Sequence, residues 1–124
     1  MENLSASAEV TSILQDFAKA SKLIAAICAA PIVLARANVL QGYFTCYPGC
    51  ESSCYESCQA QNLHYQQEGV LTHGSQITAS GPASAPLFAL EIARYLLGND
   101  RAQAVRKELL LDMPSSASSM YVIC

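Results

Sequence analysis

Cys28 is the residue in this sequence best placed to act as a nucleophile. The apolar run of residues 23–27 leads directly into it, and two alanines and Pro31 follow. Small neighbours are typical of the sharp strand-to-helix turn on which nucleophiles are mounted, because its strained backbone is crowded. Pro31 suits the first turn of a helix, whose N-terminus favours a thiolate over a thiol. The alternative interpretation is an ordinary buried cysteine.

Four further cysteines recur at every fourth position, which would stack them on one face of a continuous helix. They are Cys46, Cys50, Cys54 and Cys58. Pro48 breaks a helix between the first two, and zinc sites usually add a second, distant pair, so we expect no metal site and keep metal binding by this ladder as a minor alternative. We interpret residues 51–57 as a polar surface segment with exposed, oxidisable thiols. Cys46 is also a candidate partner for an oxidised Cys28.

The elements that must position these cysteines alternate between helix and strand along the chain. The predicted elements are an amphipathic helix over 5–20 capped by Ser5 or Ser7, a buried parallel strand over 22–27, a helix over 30–37, a short strand over 43–45, two short strands around the turn at 73–75, a helix over 84–97 ended by Gly98, and a helix over 100–110. Gly81 and Pro82 form a second strand-to-helix corner. We expect one domain over 1–112 and a flexible, Ser-rich tail over 113–124.

Composition excludes several classes of protein. The 124 residues carry a net charge of −3 with no basic cluster, so the chain has no positive electrostatic potential to attract nucleic acid or an anionic membrane. No apolar run approaches the length of a spanning helix, and no secretory signal is visible. We therefore expect a cytoplasmic chain, in which the six cysteines are reduced thiols rather than structural disulfides.

Several blocks of residues, in this order, resemble the ThiJ/PfpI superfamily. They are residues 3–5, 23–31, 45–49, 69–70, 77–78, 81–82 and 88–90. The resemblance implies an α/β fold, a flavodoxin-like three-layer sandwich related to class I glutamine amidotransferases. Ala29, rather than a histidine, follows Cys28, so the chain resembles the parkinsonism-associated deglycase branch (DJ-one) more than the PfpI-type proteases.

This branch implies cysteine-dependent deglycase or glyoxalase chemistry on methylglyoxal-type carbonyls and glycated amines, with no cofactor. Cys28 would be catalytic and oxidation-sensitive, and Ala29, Tyr47, Gly81 and Pro82 would bind substrate. Some relatives have a histidine at the position of Tyr47, whose phenol is a poor base at neutral pH. The resemblance leaves a homodimer open.

The chain departs from the family pattern in ways that put catalysis in doubt. Family members begin with a strand and a helix that supply an acidic residue to hydrogen-bond the cysteine. We expect this chain to lack that part, so that its fold is incomplete at the N-terminus. We therefore also expect the chain to be poorly soluble or to depend on a partner. An arginine and a glycine of the family are replaced by Ser80 and Ala83. Three acidic residues on the predicted surface helix before Cys28 do not match the acidic residue of the family: Glu2, Glu9 and Asp16. The two histidines, His64 and His73, match none of the functional residues of the family. Whether the chain is an enzyme thus stays open, and the alternative is an inactive paralogue that acts as an interaction or dimerisation module.

Overall fold

Helices and short strands alternate along residues 2–114, which the computed structural model describes. The helices are α1 (Glu2–Ala6), α2 (Ala8–Lys19), α3 (Pro31–Arg36), α4 (Glu51–Ser57), α5 (Ala85–Leu97) and α6 (Asn99–Glu108), with a 3₁₀ turn over Pro82–Ser84. The strands are β1 (Ile24–Ile27), β2 (Tyr43–Phe44), β3 (His64–Tyr65), β4 (Val70–His73) and β5 (Gln76–Ala79). The predicted mixture of helices and parallel strands is confirmed.

Three strands form the main sheet in the order β1, β5, β4. β1 runs parallel to β5, with Ile27 opposite Ala79, and β4 runs antiparallel to β5, with Val70 opposite Ala79. The hairpin of β4 and β5 confirms the two strands predicted around the turn at 73–75. β2 and β3 form a separate parallel pair. This arrangement puts the end of β1, the end of β5 and the start of β4 side by side.

The prediction that β1 is a fully buried strand is wrong. Ala26 is buried, but Ala25 is exposed and Ile24 and Ile27 are half-buried. β1 lies at one edge of the described sheet, since β5 pairs with it along a single side. Within residues 2–114, no strand pairs with the other edge of β1, although the residues of β1 are apolar.

The predicted helix over 5–20 divides into α1 and α2 at Ser7. Ser7 has extended backbone angles, and its hydroxyl accepts a hydrogen bond from the Val10 N–H over 3.3 Å, which is the N-cap arrangement. Leu14 packs against the core, whereas Ile13 is 57% exposed and Phe17 39% exposed. The predicted apolar face of this helix is thus only partly covered.

The core lies around α3, β2 and β5, and its largest fully buried side chains include Phe44, Leu40 and Ile77. Gln76 is a polar member of it. Its side-chain amide accepts from the Gln41 N–H over 3.0 Å and donates to the Gln41 carbonyl over 2.9 Å. Gln76 therefore holds the loop before β2 against β5, because its side chain satisfies both the main-chain N–H and the main-chain carbonyl of Gln41.

The prediction of exposed thiols on the segment 51–57 is also wrong. Cys46 and Cys54 are 0% exposed and Cys58 is 9% exposed. The segment forms α4, whose fourfold spacing turns Cys54 and Cys58 toward the core while Ser52 and Glu56 face outward. Glu51, Ser53 and Ser57, which also made the segment look polar, are half-buried.

The C-terminal helices follow the prediction in position but not in burial. α5 ends at Gly98, whose φ of 89° lies in the left-handed region that favours glycine, and α6 follows directly. Leu90 is buried, but Leu87 and Leu96 of the predicted apolar face are 47% and 62% exposed. Residues 115–124, most of the predicted tail, lie outside the described residues. No helix within residues 2–114 has the length and apolar character needed to cross a bilayer.

Candidate active site

The turn after β1 holds Cys28 in a strained conformation. Its φ is 63°, in the left-handed region, which costs a residue with a Cβ roughly 1–2 kcal/mol. The Cys28 N–H donates to the Ala79 carbonyl over 2.9 Å, and the Ala30 N–H closes the turn on the Ile27 carbonyl over 3.1 Å. A strained residue of this kind persists only when its surroundings determine it, and such residues cluster at functional sites.

The helix after the turn is shorter than predicted. α3 covers six residues from Pro31 instead of eight from Ala30, and Ala30 as N-cap contributes no side-chain hydrogen bond. Pro31 occupies the first turn, as the sequence indicates. The Ala29 N–H, next to the Cys28 side chain, has no acceptor among residues 2–114. An N–H in this position is the group that binds a developing oxyanion in nucleophile elbows.

The loop after β2 is bound to this turn by one main-chain hydrogen bond and closed by a second. The Tyr47 N–H donates to the Cys28 carbonyl over 2.9 Å, and the Cys50 N–H donates to the Tyr47 carbonyl over 2.9 Å. Below them the buried Thr45 N–H donates to the Thr78 hydroxyl over 2.9 Å. Tyr47 is therefore hydrogen-bonded to both Cys28 and Cys50, although 22 positions separate the two cysteines in the chain.

A cavity of about 390 Å³ opens beside Tyr47. It is lined by Tyr47, Pro48, Tyr65, Gln67, Glu68, Gly69, Ser80, Gly81, Pro82, Ala83 and Ser84. Three of the predicted substrate-binding residues thus share one wall: Tyr47, Gly81 and Pro82. Cys28 and Ala29 do not line this cavity; Cys28 is connected to it through the hydrogen bond from the Tyr47 N–H to the Cys28 carbonyl.

Sequence reasoning gave no binding role to several residues of this cavity. The Ser80 N–H donates to the Gly69 carbonyl over 3.0 Å, and the Ser80 and Ser84 hydroxyls are 3.2 Å apart. The sequence contained a signal for this pairing: counting residue pairs outward along the two strands of the hairpin from the turn at Gly74 places Gly69 opposite Ser80. Glu68 comes with them, since its carbonyl accepts from the Thr45 hydroxyl over 2.9 Å.

The sulfur atoms near the elbow differ in their surroundings. Burial, followed by the charges of Cys46, Cys28 and Glu51, raises the pKa of Cys50. A hydrogen bond with the Cys54 thiol, followed by burial, raises the pKa of Cys46 far above its usual range. Both thiols consequently stay protonated at neutral pH.

The cysteine ladder does not converge on one point. Cys46 pairs with Cys54, whereas the Cys58 thiol donates to the Leu40 carbonyl over 3.5 Å. Within residues 2–114 no group of three or more His, Cys, Asp or Glu side chains is arranged to hold a metal ion.

The histidines and the N-terminal acids lie elsewhere. His64 stacks on Tyr43 with ring centroids 5.0 Å apart, and His73 tilts against the same ring at 5.9 Å. Neither histidine lines the cavity beside Tyr47. Three carboxyl side chains of α1 and α2 are exposed: Glu2, Glu9 and Asp16.

Comparison with known proteins places these features in a family. The sequence profile of the DJ-1/PfpI family matches residues 1–95. Protein dj-1beta of Drosophila melanogaster is 38% identical over 104 residues, covering 82% of this chain and 53% of that protein. The glutathione-independent glyoxalase DJR-1.2 of Caenorhabditis elegans is 29% identical over 102 residues, with the same coverage of 82% and 53%.

Solved structures agree with the sequence matches. The crystal structure of Drosophila melanogaster DJ-1beta superposes with a TM-score of 0.79 at 37% identity, covering 88% of this chain and 57% of that one. The predicted flavodoxin-like α/β fold is thereby confirmed. The chain spans about half the length of the curated relatives that it matches.

Proposed function

This chain belongs to the DJ-1/PfpI family, and from that premise we propose that it performs cysteine-dependent glyoxalase or deglycase chemistry on small reactive carbonyl compounds. Cys28 is the nucleophile. The substrates are α-oxoaldehydes of the methylglyoxal type and their early adducts on amines. The relative named as a glutathione-independent glyoxalase supports this choice of reaction.

The observation that carries the proposal is the left-handed backbone of Cys28 between β1 and α3. Two hydrogen bonds hold it, one from its own N–H to Ala79 and one from the Tyr47 N–H to its carbonyl, both over 2.9 Å. An ordinary buried cysteine has no need of a strained φ, whereas a nucleophile gains an exposed approach to its side chain. The half-buried state of Cys28 agrees with this interpretation.

The neighbouring groups suit a small carbonyl compound. The Ala29 N–H, which lacks an acceptor within the described part of the chain, is available to the oxygen that becomes negative when sulfur adds. Tyr47, Gly81 and Pro82 supply a mainly apolar wall with one phenol hydroxyl. Cys28 does not line the cavity beside Tyr47, but that cavity, at about 390 Å³, is within the usual range for small-molecule sites.

The reaction balances without an external oxidant. The Cys28 sulfur adds to the aldehyde carbon, a C–S bond forms, and the oxygen takes a proton to give a hemithioacetal. A proton then moves from this carbon to the ketone carbon through an enediol, so the first carbon is oxidised to a thioester while the second is reduced to an alcohol. Water cleaves the C–S bond, releasing a 2-hydroxy acid and the thiol. With an adduct on an amine, the sulfur displaces the nitrogen: the C–N bond breaks as the C–S bond forms, the amine takes the thiol proton, and the same hemithioacetal results.

Lactate formed from methylglyoxal tests the proposal. Cys28→Ser should reduce the rate to that of buffer, because a hydroxyl at this position is a far weaker nucleophile. Cys58→Ser is the matched control: it makes the same change at a buried cysteine, where the serine hydroxyl can still donate to Leu40. Wild-type turnover at the buffer rate, or an unchanged rate in Cys28→Ser, would overturn the proposal.

The second candidate is an inactive interaction or dimerisation module, and the uncovered edge of β1 favours it. β1 pairs with β5 alone within the described sheet, and Ala25 is exposed. An edge strand with unpaired main-chain groups is a template for another strand. Light scattering coupled to size-exclusion chromatography distinguishes the two candidates when combined with the lactate assay: a dimer without turnover supports the module, and a monomer with turnover supports the enzyme.

A further inference from the structure

We propose that a cavity between α5, α6 and β4 binds a small monocarboxylate with a short apolar tail, through the guanidinium groups of Arg94 and Arg106. The cavity has a volume of about 440 Å³, which is within the usual range for small-molecule sites. Cys28 and Tyr47 do not line it. The proposal therefore goes beyond the carbonyl chemistry of the proposed function and does not depend on it.

The two helices present matching stripes of residues to this cavity. Within each stripe the residues are spaced by three, four and seven positions, which places them on one face of a helix. The stripe of α5 runs from Leu87 to Arg94, and that of α6 runs from Asn99 to Arg106. Both stripes contain a buried apolar residue, 7% exposed in each case: Leu90 in α5 and Ala102 in α6. Both end in an arginine, so the cavity combines apolar surface with two cations.

The charged side chains give the lining of this cavity a net positive charge. The Arg94 Nε donates to both carboxylate oxygens of Glu91 over 3.0 Å, and hydrogen bonding from Arg94 lowers the pKa of Glu91, which stays ionised at neutral pH. With Arg106, the lining carries two positive charges and one negative charge. Since the whole chain has a net charge of −3, this positive excess is local. An excess of one charge suits a monoanion, because a dianion would be repelled by Glu91.

Both guanidinium groups are held by carboxylates that occupy only part of each. Arg106 donates through Nε and Nη2 to Asp112, and Arg94 donates through the same two atoms to Glu91. The Thr72 hydroxyl also donates to Glu91, over 2.7 Å. Within residues 2–114, the Nη1 of neither arginine has an acceptor. A guanidinium whose orientation is already fixed loses less conformational entropy when it binds a further anion.

These groups together select the class of ligand. A carboxylate is planar and accepts paired N–H bonds from guanidinium groups. The apolar part of the lining offers contacts to methylene groups, whose removal from water favours binding. It consists of Val70, Leu87, Leu90 and Ala102. Inorganic phosphate has no apolar part and carries a second charge near neutral pH, so it fits the cavity less well.

NMR titration of the isotope-labelled full chain with hexanoate tests the proposal. We expect saturable shifts of the amide signals of Leu90, Ala102 and Arg106. Hexanamide has the same shape without the charge, and inorganic phosphate has charge without the tail. Each should bind at least about fivefold more weakly than hexanoate, since a partly exposed ion pair contributes about that factor. Shifts that do not saturate with hexanoate, or equal binding of hexanamide or phosphate, overturn the proposal.

Three variants provide the matched comparison. Arg106→Gln should weaken hexanoate binding about fivefold. Arg101→Gln makes the same change at an exposed residue of α6 outside the cavity and should leave the affinity unchanged. Asp112→Asn should strengthen binding, because it keeps an acceptor for Arg106 but removes the competing charge. Damage to the fold would not improve binding.

Equal weakening in Arg101→Gln and Arg106→Gln, or unchanged or weaker binding in Asp112→Asn, contradicts the assignment. The titrations do not depend on lactate formation. Failure of the carbonyl proposal and failure of the carboxylate site are therefore separate results.

Discussion

The Tyr47 N–H donates a hydrogen bond to the carbonyl oxygen of Cys28 over 2.9 Å. This single bond ties the loop after β2 to the strained turn after β1, and it brings the Tyr47 ring and its cavity to the side of the nucleophile. Because main-chain groups make the bond, its geometry depends on how the surrounding loop is held rather than on the identity of residue 47.

Thr78→Val should loosen this loop. The Thr78 hydroxyl, fully buried, accepts from the Thr45 N–H over 2.9 Å, and valine would leave that N–H without a partner. We expect the free energy of unfolding to fall by about 1–3 kcal/mol and hydrogen exchange at the Tyr47 amide to accelerate. Thr72→Val makes the same change at an exposed residue of β4, where water can replace the hydroxyl's hydrogen bond to Glu91, and should lower the free energy of unfolding by less than Thr78→Val does. Equal losses in both variants contradict the prediction.

The strain at Cys28 predicts an unusual order of stability. Glycine adopts a φ of 63° without steric cost, whereas alanine does not, so Cys28→Gly should be more stable than Cys28→Ala by about 1 kcal/mol in chemical denaturation. Ala29→Gly is the control. Residue 29 does not have a positive φ, so glycine there should destabilise the fold. If Cys28→Gly is the weaker of the two variants, the turn is not strained as described.

Replacement of Gly42 should destabilise the fold more than replacement of Gly74. The two glycines have nearly the same φ, 58° and 59°, but an added Cβ at Gly42 would collide with the His73 ring, while at Gly74 it would meet nothing within 4 Å. Gly74→Ala should cost about 1 kcal/mol for the backbone conformation alone. Gly42→Ala should cost clearly more in the same denaturation experiment, and adding His73→Ala should remove part of the excess. Equal costs at the two glycines argue against the contact.

Alkaline pH should destabilise the chain through Cys46. Its thiol ionises near its ordinary pKa of 9.0 in the unfolded chain, whereas the hydrogen bond with Cys54 and burial raise that pKa in the folded state. Above pH 9 the unfolded state therefore binds fewer protons, and the free energy of unfolding should fall as pH rises, by up to about 1.4 kcal/mol per pH unit from this group. Denaturation under reducing conditions measures the slope. Cys46→Ala should flatten it, and an unchanged slope contradicts the prediction.

The elbow was visible in the sequence because its determinants are local. An apolar run followed by a cysteine, two alanines and Pro31 specifies a strand, a crowded turn and a helix start through short-range sterics. The end of α5 was predictable for the same reason, since Gly98 supplies the left-handed conformation that a helix end requires.

Burial was where sequence reasoning failed. The apolar residues of β1 predicted a strand covered on both sides, yet Ala25 is exposed. The polar residues of 51–57 predicted an exposed segment, yet Cys54 is 0% exposed. Composition reports which residues can be buried, whereas the neighbours that bury them come from elements distant in the chain.

The sequence by itself determined that Cys28 sits on a turn between a strand and a helix, because the sterics of adjacent residues suffice for that. Only the tertiary structure decided which side chains surround it. The Tyr47 N–H in the loop after β2 donates to the Cys28 carbonyl after β1, while Cys46, next to Tyr47 in sequence, turns into the core toward Cys54. Contacts of this kind depend on how strands and helices pack across long sequence separations, which the spacing of residues does not encode.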